Sequence, residues 1–551
     1  MENQLSPDLV KQVETWIAED PDPNTRAQLQ ELLATKNEAE LKSCFAGFLE
    51  FGTAGLRGAL GPGPSRMNRA VVTKTAAGIA SYMKKHGMNS VVIGRDARYG
   101  SEDFTRDTAE IMMGAGFKVY VLPRPLPTPV LAFATRKLNC DVGIMVTASH
   151  NPPQDNGYKV YLGGTVDGVF YDGSQIISPA DAQISQEISQ VPPLPSLART
   201  NGWTVLSEDH VDAYISATAQ LAKNPGNLKI VYTAMHGVGT ETLTKVFVKA
   251  GFPAPILVSA QAQPDPDFPT VAFPNPEEPG AIDLALETAV AENADLVIAN
   301  DPDADRCAVA AKDVAVGWRM LRGDEVGALL AEYIARHKPD ANSIMANSIV
   351  SSTIVSKIAQ HYGVNFQETL TGFKWLSKLP NLCFAYEEAL GYAVDTSSVN
   401  DKDGISSALM MVQVATDLAA EGKTILDLLD EIWNRHGFHA TRQISVRTTS
   451  VKQINDTLGK FRDSTPEHIG GYKVTQFDDL EAPKDHLPPT NGVRMFLEGG
   501  TRIIIRPSGT EPKIKCYIEV VTKGELNHAK LQADQIMDVI EETLRKMLAA
   551  Q

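Results

Sequence analysis

The stretch VTASHNPP, Val146 to Pro153, sets a serine directly against a histidine. A serine with a base beside it is the raw material of a hydrolytic nucleophile. Adjacent side chains on an extended segment leave on opposite sides, however, so the spacing predicts that His150 is badly placed to deprotonate Ser149. The Gly-x-Ser-x-Gly elbow is absent as well, since residues 147 and 151 are Thr and Asn. A plain hydrolase is excluded. What remains is either a strand-end loop that spends Ser and Asn on turn hydrogen bonds, or a loop in which Ser149 carries some other group. NPPQDNGYK continues it as a proline-fixed segment and delivers Lys159 ten positions downstream of the serine.

NDPDADR places Asp301, Asp303 and Asp305 in alternation. In an extended loop their carboxylates fall on one side, and three hard oxygens suit Mg²⁺ better than zinc. An EF-hand is excluded, because Arg306 stands where that loop needs Gly and Lys312 where it needs Glu. The competing reading is a solvated acidic turn. FGTAGLRG, Phe51 to Gly58, surrounds Arg57 with glycines that let backbone approach a ligand. YEEALGY carries Glu387 and Glu388 after an apolar run; they are either a solvated turn or a grip on vicinal sugar hydroxyls, because a carboxylate accepts two such bonds. In RIIIRPSGTEPKIK, four basic residues from Arg502 to Lys515 face one acid, Glu511. Arg506, Ser508, Gly509 and Thr510 join a guanidinium fork to hydroxyls and open backbone amides, the makings of a phosphate cradle. MHGVGTET has Thr242 where a dinucleotide fingerprint needs its third glycine, and no dinucleotide site follows.

These loops need elements to hold them. Short β-branched runs alternate with helical patterns along most of the 551 residues, which predicts α/β units with buried strands and ligand-binding loops at the strand ends. QVPPLPSLART reads as an extended linker closing a first domain, and TILDLLDEIWNRHG as a helix ending near Gly437. HATRQISVRT and TRIIIRPSGTEPKIKCYIEVV read as strands of a smaller α+β domain closed by a final amphipathic helix. Ser6, Pro7 and Asp8 open a capped helix at the N-terminus, with no basic start or apolar stretch of a signal peptide. Five scattered cysteines suit a reducing cytoplasm, and the absence of a long apolar run argues against a membrane span. A formal charge of −16 argues against nucleic acid as a partner.

Taken together, TASHNP, DPDADR, EEALG and RPSGTEP, in that order from about residue 45 onward, closely resemble the α-D-phosphohexomutase family of phosphoglucomutases, phosphomannomutases and relatives. The resemblance implies an α/β protein of four domains around a central cleft, three related α/β domains with mixed sheets and a smaller C-terminal α+β domain. The expected divisions are 1–200, with an N-terminal helical extension; 201–316, with the metal loop; 317–437, with the sugar loop; and 438–551, with the phosphate cradle. By position, Ser149 resembles the family's phosphoserine and, with Asp301, Asp303 and Asp305, a ligand of Mg²⁺. Arg57, His150 and Lys159 match acid–base or supporting positions. Arg306, Thr371, Gly372, Lys374, Glu387, Glu388, Arg506, Ser508, Gly509, Thr510 and Lys515 match substrate contacts. Ala389 departs from the serine that many glucose and mannose mutases carry there.

The implied reaction interconverts a small-molecule sugar 1-phosphate and 6-phosphate through a sugar 1,6-bisphosphate that turns end for end. Glucose phosphate ranks first, mannose and pentose phosphates as alternatives. Among the candidate bases Lys159 is favoured, its pKa expected to be lowered by like charge and burial, with Arg57 as support and His150 positioning the phosphoryl group. The rival readings are a Mg²⁺-dependent phosphatase with Asp301 as nucleophile, and a non-catalytic sugar-phosphate binder. Oligomeric state has no signature in the sequence.

Overall fold

The computed structural model describes residues 5–52, 55–337, 339–448, 450–508 and 513–549. The chain divides into two compact units, residues 1–321 with 391–416, and residues 322–390 with 417–551.

The first unit opens with helices Pro7–Glu19, Pro23–Ala34 and Glu38–Cys44. Ser6, Asp22 and Asn37 each cap one, their side-chain oxygens accepting from first-turn amides. Leu9, Val13, Leu29 and Leu41 make these helices a small core of their own. Two mixed sheets follow. In the first, Ser90–Arg95 lies between Lys118–Val121 and Val142–Val146, all parallel. Asp155–Leu162 and Leu56–Ala59 then extend the Val142–Val146 side antiparallel. Val142–Val146 is buried along its whole length, which is why it reads as a continuous apolar run rather than an alternation. In the second, Ile230–Thr233 lies between Ile256–Leu257 and Leu296–Ala299, again parallel, and Ala308–Asp313 and Gly317–Met320 follow antiparallel. Residues 391–416 also belong to this unit: Gly391 bridges to Arg306, and the Tyr214 hydroxyl donates to Asp403.

The second unit repeats the theme. Ile344–Ser348 lies between Asn365–Thr369 and Leu382–Glu387, all parallel. Three times, then, the first strand is central and the second and third flank it. An antiparallel sheet completes the unit, in the order Phe438–Arg447, Lys513–Thr522, Thr501–Pro507, Val493–Leu497, Tyr472–Asp479, His468–Ile469. Helix Leu526–Ala549 packs on its first two strands. Ile349, Val350 and Leu370 join Leu480, Leu487, Ile504 and Tyr517 in a core shared by the two sheets.

The helix expected at TILDLLDEIWNRHG forms at Ile425–His436, with a Thr424/Asp427 capping box and Gly437 past its end. The proline-marked stretch at 190–200 differs from expectation. It contains the 3₁₀ turn Leu194–Ser196, and Arg199 is strapped to Asp107 and Glu110, so it is packed onto the first sheet's helices rather than extended between domains. No helix among the described residues is long and apolar enough to cross a membrane.

Candidate active site

Three of the four motif loops leave the third strand of a parallel trio at its carboxyl end. TASHNP follows Val142–Val146, DPDADR follows Leu296–Ala299, and EEALG follows Leu382–Glu387. Each is also gripped by the loop after the central strand of its own sheet. Arg98 donates to the Ser149 carbonyl at 2.7 Å. Val238 N–H donates to Pro302 O at 2.9 Å, where Gly237 approaches so closely that a Cβ would sit 2.3 Å from Pro302. The Ser351 hydroxyl donates to Glu388 Oε2 at 3.0 Å and accepts from the Glu388 N–H at 3.0 Å.

The first loop corrects the expectation for His150. Ser149 is not extended: its φ is +52°, in the left-handed region. That turn brings the neighbouring side chains together, and His150 Nδ1 lies 3.2 Å from Ser149 Oγ. Burial, with Arg306 and Arg57 nearby, pushes the imidazole well below the ordinary histidine range, so it is neutral at pH 7. Ser149 Oγ itself donates to Asp301 Oδ2 at 2.7 Å.

The three aspartates converge, with ligand oxygens within 4.8 Å of one another and all three residues buried. The route differs from the extended loop expected: Ala304 takes φ +54° and Ala304 N–H closes a turn onto Asp301 O at 2.8 Å, so the carboxylates gather around a bend. Asp303 Oδ1 and Asp305 Oδ1 are buried and accept no hydrogen bond within the described residues. Hard oxygen donors with lone pairs turned inward and unused fit a divalent cation.

Lys159 is a second correction. Its ammonium is buried and donates to Asp303 Oδ2 at 2.7 Å and Asp305 Oδ2 at 2.8 Å. Burial alone lowers its pKa, but the two carboxylates outweigh burial and the net shift is upward, not downward. The carboxylates diverge in turn. Burial and its neighbouring acids hold the Asp301 pKa well above the usual range, while Asp305, although buried, is driven down by Lys159 and Lys402.

Two further residues touch the aspartates without having been singled out by the sequence. Lys402 Nζ lies 3.3 Å from Asp305 Oδ2, and the Thr128 hydroxyl donates to Asp303 Oδ2 at 2.6 Å. For Lys402 the signal was present in NDKDG, a charged island opening an apolar helix; for Thr128 there was none. Arg57 Nη1 donates to Asn151 Oδ1 at 3.2 Å, from a strand reached through Gly55. Gly55 has φ +80°, and a Cβ there would lie 1.8 Å from Tyr158 O, so the close approach read from FGTAGLRG is to the protein's own backbone. Arg306 N–H donates to Asp301 Oδ1 at 3.0 Å, and its Nε lies 3.9 Å from Asp305 Oδ1.

The second unit gathers the sugar-loop candidates. Gly372 N–H donates to Glu387 Oε1 at 2.6 Å, and the Thr371 hydroxyl, buried, makes no hydrogen bond within the described residues. Lys374 follows in the short helix Phe373–Leu376. Glu388 turns inward to Ser351 rather than outward, and burial, with Glu387 and Asp324 near it, raises its pKa to about 7. Arg506 and Lys515 stand directly opposite in the antiparallel register. Two like charges so placed are unfavourable without an anion to share. The Arg506 guanidinium lies near enough to Tyr517 to oppose the rise that burial imposes on the phenol pKa, and Ser508 N–H donates to Lys513 O at 2.8 Å. Gly509 and Thr510 lie outside the described residues.

Four domain models named for phosphoglucomutase/phosphomannomutase match in series: α/β/α domain I at 49–191, domain II at 208–317, domain III at 322–436, and the C-terminal domain at 464–536. The chain belongs to the phosphoglucomutase/phosphomannomutase family. A probable phosphomannomutase of Haemophilus influenzae is 46% identical over 88% of this chain and 98% of its own. A phosphopentomutase of Homo sapiens is 34% identical over 96% and 94%, and a phosphoglucomutase of Staphylococcus epidermidis 35% over 89% and 93%. Among solved structures, a putative phosphomannomutase from Thermus thermophilus shares the fold, with a TM-score of 0.68 at 22% identity over 89% and 99%. Membership makes this protein an intramolecular phosphotransferase, a phosphohexomutase-type sugar phosphate mutase.

Proposed function

We propose that the protein interconverts glucose 1-phosphate and glucose 6-phosphate through a phosphoserine at Ser149 and a glucose 1,6-bisphosphate intermediate. The observation that carries this is the 2.7 Å contact between Ser149 Oγ and Asp301, one of three converging buried carboxylates. A phosphoryl group on Oγ brings close to two negative charges against those carboxylates. Mg²⁺ held by Asp301, Asp303 and Asp305 would balance that charge and polarise the phosphoryl oxygens. Arg306, Lys402 and Lys159 offset the three carboxylates, so the charge of the phosphoryl group itself is what the cation would balance. His150, neutral and beside Oγ, is assigned to take the proton of the attacking sugar hydroxyl and return it to Oγ as the Oγ–P bond breaks, so that role passes to it from Lys159, which stays charged as support with Arg57.

Thr371, Gly372, Lys374 and Glu387 are assigned to the sugar, with Glu388, turned inward to Ser351, holding their loop, and Arg506, Ser508, Gly509, Thr510 and Lys515 to the phosphate that does not react. The working division is four domains, at 1–200, 201–316, 317–437 and 438–551. Relatives are named for mannose, pentose and glucose phosphates, and the hydroxyl missing at Ala389 bears on that choice.

Intact-protein mass after brief acid exposure tests the reaction type. An acid-stable phosphoryl adduct, lost in Ser149→Ala together with turnover, is expected. An acid-labile adduct that survives Ser149→Ala and disappears in Asp301→Asn would establish the phosphatase reading instead. Comparison of kcat/KM across the 1-phosphates of glucose, mannose, glucosamine and ribose then assigns the sugar, glucose being expected to lead.

A further inference from the structure

Arg98 lies in the loop after the central strand Ser90–Arg95, and its side chain is buried, 4% exposed. Its guanidinium donates four hydrogen bonds, all to backbone carbonyls around the Ser149 loop. Nη1 reaches Pro152 at 2.8 Å and Asp155 at 3.2 Å; Nη2 reaches Ser149 at 2.7 Å and Asn151 at 2.5 Å. Asp96 faces its Nε at 3.4 Å and is itself fixed by the Arg98 N–H and the Ser101 hydroxyl. The ring of Phe268, from the second sheet's proline-rich loop, covers the guanidinium at 4.9 Å. An ordinary buried ion pair would be satisfied by Asp96 alone. Here the acid aims the fork, and the fork is spent on the loop.

The reason lies in Ser149. A non-glycine residue in the left-handed region costs roughly 1–2 kcal/mol, and it stays there only if its surroundings hold it. That same backbone conformation turns Oγ toward both Asp301 and His150. The carbonyl of the strained residue is one of the four that Arg98 binds. Lysine could not replace it, since an ammonium is a compact group with three donors and cannot meet four separate carbonyls.

We propose that Arg98 is a positioning residue for phosphoryl transfer, holding the Ser149 backbone in its reactive conformation without touching the substrate. The proposal rests on Ser149 being the phosphoryl carrier. Its test follows, by intact mass, phosphoryl uptake from glucose 1,6-bisphosphate by dephosphorylated wild type, Arg98→Ala, Arg98→Lys and Ser149→Ala, with steady-state kinetics and melting curves alongside. Loss of the fork should slow uptake and kcat about 100-fold, as a displacement of about 1 Å does, while KM changes less than about threefold. Millimolar guanidinium should restore Arg98→Ala at least about tenfold by refilling the vacated fork, and Arg98→Lys, which keeps the charge, should remain impaired.

Uptake by Arg98→Ala at the wild-type rate would overturn the proposal. So would uptake restored by lysine alone, or a loss untouched by guanidinium that merely follows the melting temperature. Should Arg98→Ala not fold, Arg98→Lys decides: normal uptake overturns the proposal, slow uptake with a wild-type melting curve supports it. If wild type takes up no phosphoryl group, or Ser149→Ala takes it up equally, the assignment of Ser149 is what fails.

Discussion

The Ser149 loop and the Glu387–Glu388 loop occupy the same place in two copies of one strand order, yet they are held by opposite chemistry. The first is fixed by a buried guanidinium and ringed by ions: Asp301, Asp303 and Asp305 against Lys159, Lys402 and Arg306. The second is fixed by hydroxyls, with Ser351 and Ser348 on a carboxyl whose pKa has risen to about 7. The strand order supplies a place; the loop supplies the task. If Ser149 carries the phosphoryl group as proposed, its loop gains and loses a doubly charged group in each turnover and needs fixed charges around it. If the Glu387–Glu388 loop binds the sugar as proposed, it must grip and release hydroxyls once for each orientation of the bisphosphate, a task served by hydroxyl-held partners of moderate strength.

Asp303→Asn tests the ionic side of this contrast and carries the largest expected effect. Asp303 accepts from both Lys159 and Thr128 and keeps one oxygen unused, so the amide removes a donor to the cation and leaves Lys159 with one carboxylate fewer. Turnover should fall by about 10³, several kcal/mol of charge stabilisation being lost, and Mn²⁺ titrated into the unphosphorylated protein should bind more weakly. Full activity with unchanged Mn²⁺ affinity would mean that the first loop does not depend on its carboxylates. His150→Gln comes next. With the neutral base at 3.2 Å from Oγ gone, kcat should drop by about 10² while KM holds. A larger loss in Lys159→Gln that shifts the pH profile, with His150→Gln near normal, would return the proton to Lys159.

The strands, the smaller C-terminal sheet and the gathering of Asp301, Asp303 and Asp305 were legible in the sequence because each depends on local pattern: apolar runs at strand spacing and closely spaced aspartates. The failures have a common physical origin. His150 was placed by assuming extended backbone, and one positive φ at Ser149 reversed its direction. The Lys159 pKa was reasoned from like charges nearby, whereas two carboxylates some 144 and 146 residues distant in sequence decide it. Arg98 and Ser351 carry no signal of their roles, and Gly237, in the rejected MHGVGTET motif, none of its packing on Pro302, because what each meets is some 40 to 65 residues further along the chain and spacing within a motif cannot reveal a partner in another loop.

Glu388 gives the smallest effect and the cleanest test of the neutral side. Its folded pKa of about 7 exceeds the usual carboxylate value of 4.5 because burial and the acids Glu387 and Asp324 disfavour its charge. Between pH 4.5 and 7 the unfolded chain therefore binds fewer protons at this site than the folded one, and stability from this group falls as pH rises through that window. Glu388→Gln removes the slope. The variant should melt like wild type near pH 4 and about a few degrees higher at pH 8, where the wild-type carboxyl is charged and buried. Its kcat should change less than that of Asp303→Asn, since the hydroxyl of Ser351 can still donate to an amide oxygen. A melting curve for Glu388→Gln that parallels wild type from pH 4 to pH 8 would mean that folding does not shift this carboxyl, which would then be ionised at neutral pH, and the second loop would be as ionic as the Ser149 loop.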